Sequence, residues 1–321
     1  MKNQSVKKLL FIVLSILCLS PWVSSATALF AGIIFSLFIG NPFQEWTTKA
    51  VKKLLALAVI GLGAGMDLNV VTKVGLQSVG FTALSILAVF VVGTLLGKLF
   101  KTPLNTTLLI NSGTAICGGS AIAAVAPVIK AKNHEVTVSL AVVFTLNAVA
   151  LFVFPWVGHL LKIDQTSFGL WSALAIHDTS SVVGASLSYG PQALEVGTIV
   201  KLVRALWIIP LALIFSVTTA MQLKKQGASV QTKTKKPWFI LGFITAAALV
   251  TFIPELKSPG LMIYAGAKKL MVLTLFYIGS SITLDHIKEA GIKPMLQGVI
   301  LWCFTAISTL TLIMTNIINF K

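Results

Sequence analysis

The sequence predicts an all-α polytopic membrane protein of about eleven membrane segments, with inverted repeats and two broken helices. Three observations lead there. Hydrophobic residues make up 56% of the chain and charged ones 11%, for a mean hydropathy of +0.93. Apolar runs of about 18 residues or more, long enough to cross the hydrocarbon, recur along nearly its whole length. Gly-, Ser- and Thr-rich stretches interrupt two of these runs, and broken helix at membrane depth is tolerated only where protein buries it or it lines a cavity. The loops are too short for a soluble domain, so residues 1–321 form a single transmembrane domain.

Taken in order, the segments are 8–23, 26–41, 52–68, 74–100, 105–129, 135–161, 168–190, 194–221, 237–254, 261–284 and 292–319. Residues 1–25 also imitate a signal peptide, with Lys7 and Lys8 before Leu9–Leu19 and Ala26-x-Ala28 after. A retained first helix is expected. With the N-terminus in the cytoplasm, Lys49, Lys52, Lys53, Lys98, Lys101 and Lys293 fall on the inner side, and the Lys- and Gln-rich stretch 222–236 is a cytoplasmic linker. These loop lysines account for the net charge of +16, so no nucleic-acid partner is expected. Cys18, Cys117 and Cys303 are odd in number and lack metal spacing, which argues against a disulfide framework or a metal site, and no cofactor is expected.

A shift of 216 residues lays element 52–80 on element 268–296: Lys52-Lys53-Leu54 falls on Lys268-Lys269-Leu270, Gly63 on Gly279 and Gly75 on Gly291. An odd number of segments separates the copies, so they face opposite ways across the bilayer. Inverted repeats of this kind mark secondary transporters, whose halves rock about a site at the midplane.

The first interrupted run holds Asn111, Ser112, Gly113, Thr114, Cys117, Gly118, Gly119 and Ser120. Each glycine lowers helix propensity by roughly 1 kcal/mol relative to Ala, and the hydroxyls supply donors and acceptors for a solute or ion. Packing of small residues between helices is the plainer alternative. The second run holds His177, Asp178, Thr179, Ser180 and Ser181. Ionisable groups in the membrane cost roughly 3 kcal/mol or more each and usually mark a pathway, so His177 and Asp178 are candidates to carry a coupling proton. A helix cap by Asp178 or Thr179 is the alternative, and compatible. A weak echo pairs 111–120 with 177–186, each followed by Glu-Val, at 135 and 195. If both segments re-enter, they dip in from opposite faces; if both span, they run parallel. Only Lys130, Lys132 and Lys162 change sides between these options, so charge leaves the choice open.

Glu195, Thr198, Lys201 and Arg204 recur every three residues and form one polar stripe on an apolar helix. Arg204 is the only arginine. It lies about 4.5 Å along the axis from Lys201, and neither has an acid three or four positions away. A guanidinium fork beside an ammonium suits a small inorganic or organic anion; an Arg204–Asp178 salt bridge or a snorkelling Lys201 are the alternatives. Gly61-x-Gly63-x-Gly65 lacks the strand a nucleotide-binding loop needs. Asn147, alone in an apolar helix, reads equally as an interhelical bond or a site residue. Cys117 with His177 lacks a third orienting group, so no enzyme is expected.

Asn111-Ser-Gly-Thr-Ala-Ile-Cys-Gly-Gly-Ser-Ala, His177-Asp-Thr-Ser-Ser-Val-Val-Gly-Ala, and Ala193-Leu-Glu through Val200-Lys-Leu-Val-Arg resemble the YeiH-type family of bacterial inner-membrane proteins, named as sulfate exporters. The resemblance covers nearly the whole chain and implies a multi-pass protein of the inner membrane that exports sulfate or a related sulfur oxyanion. A wider similarity to the bile acid, arsenite and riboflavin transporter superfamily implies inverted five-helix repeats with two broken helices crossing at the centre. The expectation is a carrier working by alternating access. Lys201 and Arg204 hold the anion's charge, Asn111, Ser112, Thr114, Cys117, Gly119, Ser120, Thr179 and Ser180 surround it, and His177 with Asp178 couples transport to H+. A Na+-coupled variant would use oxygens around Thr114, Ser120 and Thr179. A passive anion channel is the rival reading, and the sequence leaves room for a homo-oligomer.

Overall fold

The computed structural model describes residues 2–224, 239–281 and 291–318, which are helical with no strand among them. In chain order the helices are α1 (Lys2–Leu17), α2 (Ser25–Phe38), α3 (Gln44–Gly63), α4 (Leu68–Leu99), α5 (Leu104–Ala115), α6 (Gly119–Val125) and α7 (Asn133–Leu160). There follow α8 (Gln165–Ala175), α9 (Thr179–Tyr189), α10 (Pro191–Leu206), α11 (Ile208–Lys224), α12 (Phe239–Phe252), α13 (Lys257–Ser280) and α14 (Ile292–Met314). Among the described residues, five stretches are long and apolar enough to cross a membrane: Leu68–Leu99, Asn133–Leu160, Pro191–Thr219, Pro254–Ser280 and Ile292–Met314. Thr27–Phe38 and Phe239–Phe252 are shorter apolar helices.

The plan of eleven segments changes at the two interrupted runs, because each is a hairpin. In 168–190 the chain turns over Ile176–Asp178 and α9 folds back along α8. Ser172 Oγ and Ser186 Oγ, 14 residues apart, lie within 2.9 Å; a straight helix would separate them by about 21 Å. At the open end Tyr189 OH donates to the Ile163 carbonyl (2.5 Å), and its ring stacks on Phe168 at 3.7 Å. In 105–129 the turn is Ile116–Gly118, and α6 returns so that α7 starts beside the start of α5. There Asn105 Nδ2 donates to Glu135 Oε2 (3.1 Å) and Ser139 Oγ to the Thr106 carbonyl (3.4 Å). Deeper in, Gly113 packs on Val143, so α5 and α7 run side by side in the same direction.

α7 fixes how the hairpins relate. Hairpin 1 (α5–α6) opens beside its first turn. Hairpin 2 (α8–α9) opens beside its last, where His159 stacks on Tyr189 at 4.4 Å. They enter from opposite ends of α7, and both tips reach its middle at Val143 and Asn147. Each interrupted segment thus folds back on itself rather than running straight through.

Local chemistry explains the turns. Gly118 adopts φ +65°, a conformation L side chains rarely take. Asp164 and Asp178 cap α8 and α9 by accepting from Ser167 N–H (3.0 Å) and Ser180 N–H (3.0 Å). Gly190 ends hairpin 2, and Pro191 opens α10 where its missing N–H costs nothing.

Around this centre α13 packs along α2 and α3, and α3 against α12. Backbones approach closely at Gly279, which meets Leu29 and Gly32 of α2, and at Gly63, which meets Phe243 of α12. The signal-like start docks on the same bundle: Phe11 lies among Phe35, Phe43, Phe276 and Tyr277, with ring centroids 5.3–5.7 Å apart. Ala26-x-Ala28 lies within α2. Most of the linker 222–236, and 282–290 of the second repeat element, fall outside the described residues.

Candidate functional site

The hairpin tips cross in van der Waals contact. A methyl group on Gly118 would lie 3.2 Å from Asp178 Cβ and 3.4 Å from Val143 Cγ1. A turn at such depth strands helix-end carbonyls, since the last four C=O groups of a helix have no intrahelical partner. α10 supplies what they lack. Arg204, fully buried, donates from Nε to the Ala115 carbonyl (2.5 Å) and from Nη2 to the Thr114 carbonyl (3.0 Å), both at the end of α5. Its Nη1 donates to the Ala173 (3.0 Å) and Leu174 carbonyls at the end of α8. Lys201, one turn earlier and also fully buried, donates to the Ile176 carbonyl at 2.7 Å. One planar guanidinium thus joins both hairpins, and hydrogen bonds to a charged group contribute roughly 1.5–3 kcal/mol each.

Carbonyl dipoles solvate these cations without cancelling their charge. Asp178 is an acid within electrostatic reach of Lys201, and Cys117 lies near both cations. The Asp178 carboxylate is held by its own helix, accepting from Ser180 N–H and Ser180 Oγ. Asn147 Oδ1 accepts from Asp178 N–H at 3.1 Å and so ties α7 to the tip of hairpin 2.

Around the crossing are buried polar groups that find no hydrogen-bond partner among the described residues: Thr114 Oγ1, Asn147 Nδ2 and both His177 nitrogens, with Thr198 Oγ1 one turn before Lys201 on α10. The His177 ring sits beside the Val143 carbonyl without a well-formed bond to it. Leaving a buried polar group unpaired costs about 1–3 kcal/mol, and such groups in a native fold call for a ligand, water or ion.

Of the residues expected from sequence, Thr114, Cys117, His177, Asp178, Thr179, Ser180, Lys201 and Arg204 come together in the tips and on α10. Three do not. Asn111 faces away from the tips towards α4. In the orientation that satisfies both amide atoms it donates to the Thr107 carbonyl (3.1 Å) and accepts from Thr94 N–H (3.3 Å). Ser112 Oγ returns to the Leu108 carbonyl of its own helix (2.6 Å). Ser120 is exposed, and Gly119 packs against Phe144 and Leu140. Neither cation takes its alternative: Arg204 is engaged by carbonyls, and Lys201 points inward. Asn147, whose signal was being a lone amide in an apolar helix, makes the interhelical bond to the tip of hairpin 2. Gln297 was missed on the same signal; it donates to the Gly93 carbonyl (3.2 Å) and accepts from Thr107 Oγ1 (3.4 Å), joining α14 to α4 and α5.

Fold and site together define a multi-pass helical membrane protein built around two facing hairpins. The chain belongs to the family described as conserved hypothetical protein 698, whose model matches residues 8–298. It is 53% identical over 319 residues to a UPF0324 membrane protein of Bdellovibrio bacteriovorus, covering 99% of this chain and 98% of that relative. Another, from Geobacter sulfurreducens, is 46% identical over 98% of this chain and 97% of its own length. A third, from Bacteroides thetaiotaomicron, is 45% identical over 92% and 87%. No solved structure matches.

Proposed function

We propose that the protein is a secondary transporter of a small oxyanion such as sulfate or sulfite, working by alternating access and coupled to protons or sodium. The observation that carries this is a buried Lys201–Arg204 pair where two hairpins from opposite sides meet, ringed by unpaired polar groups of Thr114, Asn147 and His177. Two cations facing one carboxylate leave the crossing positive in a low-dielectric interior, where an anion is the natural counter-charge. The unpaired donors offer it hydrogen bonds. Discontinuous helices meeting at the midplane are the usual seat of substrate in such carriers.

The inverted-repeat reading has support beyond the sequence match. The shift that lays Gly63 on Gly279 also brings α2, α3 and α4 onto α12, α13 and α14. In each copy the matching glycine closes on the first helix of the other copy. Each hairpin is followed by a long helix, α7 or α10, and these leave from opposite ends. With both segments re-entrant, Lys130 and Lys132 join Lys98 and Lys101 at one face, as the positive-inside rule requires of a cytoplasmic side. A bacterial inner membrane suits this arrangement.

Uptake of labelled sulfate and sulfite into proteoliposomes, with and without an imposed pH or sodium gradient, tests the proposal. Saturable uptake that follows a gradient and disappears in Arg204→Gln, with the variant still folded, is the expected result. Uptake that never saturates would make the protein a channel, and absence of uptake of either ion would remove the sulfur oxyanions.

A further inference from the structure

The carbonyls at the hairpin tips are accounted for almost one by one. On α5, Ser112 C=O accepts Ile116 N–H (3.1 Å) and Gly113 C=O accepts Gly118 N–H (2.8 Å), so the turn itself satisfies these two. The next two, Thr114 and Ala115, accept from Arg204. On α8, Ser172 C=O accepts Ile176 N–H (2.9 Å), Ala173 and Leu174 accept from Arg204, and Ile176 accepts from Lys201. A helix C-terminus carries about half a negative charge, and converging carbonyls at such an end are where a carrier with unwound helices seats a sodium ion. Here side-chain nitrogens already fill those positions. A guanidinium suits the task because its donors lie in one plane and point in several directions: Nε and Nη2 reach one helix end while Nη1 reaches the other.

We propose that Lys201 and Arg204 are the resident cations of the two half-helix ends, standing where sodium would otherwise sit, so that the tips bind no sodium and any coupling ion is the proton. The coupling clause rests on the transporter reading above, whereas the resident-cation clause does not. The proton would be carried at His177 and Asp178. The titratable groups facing them are Cys117 of hairpin 1 and Lys201 and Arg204 of α10, and α7 contributes the neutral Asn147.

The test uses the full chain in lipid nanodiscs and reads its melting temperature in sodium chloride and in choline chloride, beside sulfate uptake in the same two salts. Wild type is expected to melt and transport identically in both. Lys201→Met keeps the bulk without the charge and should melt several degrees lower. Arg204→Ala should fall further and regain at least half of its loss in millimolar guanidinium chloride, which leaves wild type unmoved, because a ligand that binds only the folded state raises its stability. Should Arg204→Ala not fold, Arg204→Lys serves: a melting temperature between Lys201→Met and wild type supports the proposal, and one equal to wild type overturns it. It is also overturned if sodium raises the wild-type melting temperature, if uptake needs sodium, or if Lys201→Met is as stable as wild type. Absence of sulfate uptake with the stability results as expected would remove sulfate as the substrate and leave the resident cations standing.

Discussion

Hairpin 2 is buried along almost its whole length, whereas hairpin 1 turns one arm outward. From Phe168 to Ser186 every residue but Asp178 is buried. In hairpin 1 the ingoing arm is equally enclosed towards its tip, but Ser120 and Ala123 of the returning arm are exposed and Gly119 and Ala124 half-exposed. The returning arm is also shorter: α6 has 7 residues against 11 in α9. A helix that short is not stable alone and depends on its neighbours, which here are α5, α7 and α11. One device is built twice with unequal stiffness. Its burial makes hairpin 2 the stiffer half, and the outer arm of hairpin 1 is the part with the least to lose by moving.

The comparison breaks most readily at Ser186. Its Oγ bonds Ser172 across hairpin 2, and a methyl group on Gly197 of α10 would lie 2.5 Å from it. Ser186→Leu adds bulk where α10 lies against the hairpin, and overpacking of this kind costs about 1–3 kcal/mol on top of the lost hydrogen bond. The expected outcome is a large loss of folded protein in fluorescence-detected size-exclusion, with Ser186→Ala costing only about 1 kcal/mol. A Ser186→Leu protein that melts like wild type would show that hairpin 2 is not the stiff half.

Gly118→Ala comes next, acting where the hairpins touch. A side chain at φ +65° costs of order 1–3 kcal/mol, and its Cβ would press on Asp178 at 3.2 Å. Uptake should fall more steeply than stability, because the strain falls on the turn that sets the tip. Equal falls in both would mean that the crossing is passive packing.

Much of this contrast was present in the residues. Three glycines among hydroxyls marked the first break, and His177-Asp178 in an apolar run marked the second. The three-residue stripe on α10 put Lys201 and Arg204 on one face, and that face meets the tips. What pattern could not supply was direction. Apolar periodicity is the same for a helix that crosses and for two arms that fold back, and the bonds that distinguish them, Ser172–Ser186 and Tyr189–Ile163, join residues whose partners no local rule names. Composition also treats every polar residue of a break as facing the site. Asn111 and Gln297 show that the same residue type, set against a helix glycine such as Gly93, serves to join helices.

A smaller effect is expected at the open end of hairpin 2. Tyr189→Phe removes the bond to the Ile163 carbonyl and should cost about 1 kcal/mol, read as faster amide exchange in 163–168 with the tip unchanged. Asp164, at the same end, adds a pH dependence. Partial burial pushes its pKa up, but hydrogen bonds from Ser167 and the adjacent backbone N–H groups outweigh that and hold it below its ordinary 3.8. A carboxylate lowered on folding stabilises the protein above its ordinary pKa and loses that contribution as pH falls through the folded value. Protection of α8 should therefore weaken as pH drops below about 4 in wild type, and Asp164→Ala should be weakened by about 1 kcal/mol at neutral pH and lack this acid step. If the step persists in Asp164→Ala, another group holds the end of hairpin 2.

The least effect is expected at Ser120, and it sharpens the comparison because the sequence places this residue in the site. Its side chain is exposed on the outward arm, at the same depth as the tip turn. A leucine there meets no packed neighbour, and substitutions away from such features change stability by about 0.5 kcal/mol or less. Ser120→Leu should leave both the melting temperature and the KM for uptake unchanged, in contrast to Ser186→Leu at the equivalent arm of hairpin 2. A raised KM with unchanged stability would mean that the arm rotates Ser120 inward during the transport cycle. The exposed face of hairpin 1 would then be a moving wall of the site, and its looseness the property that transport uses.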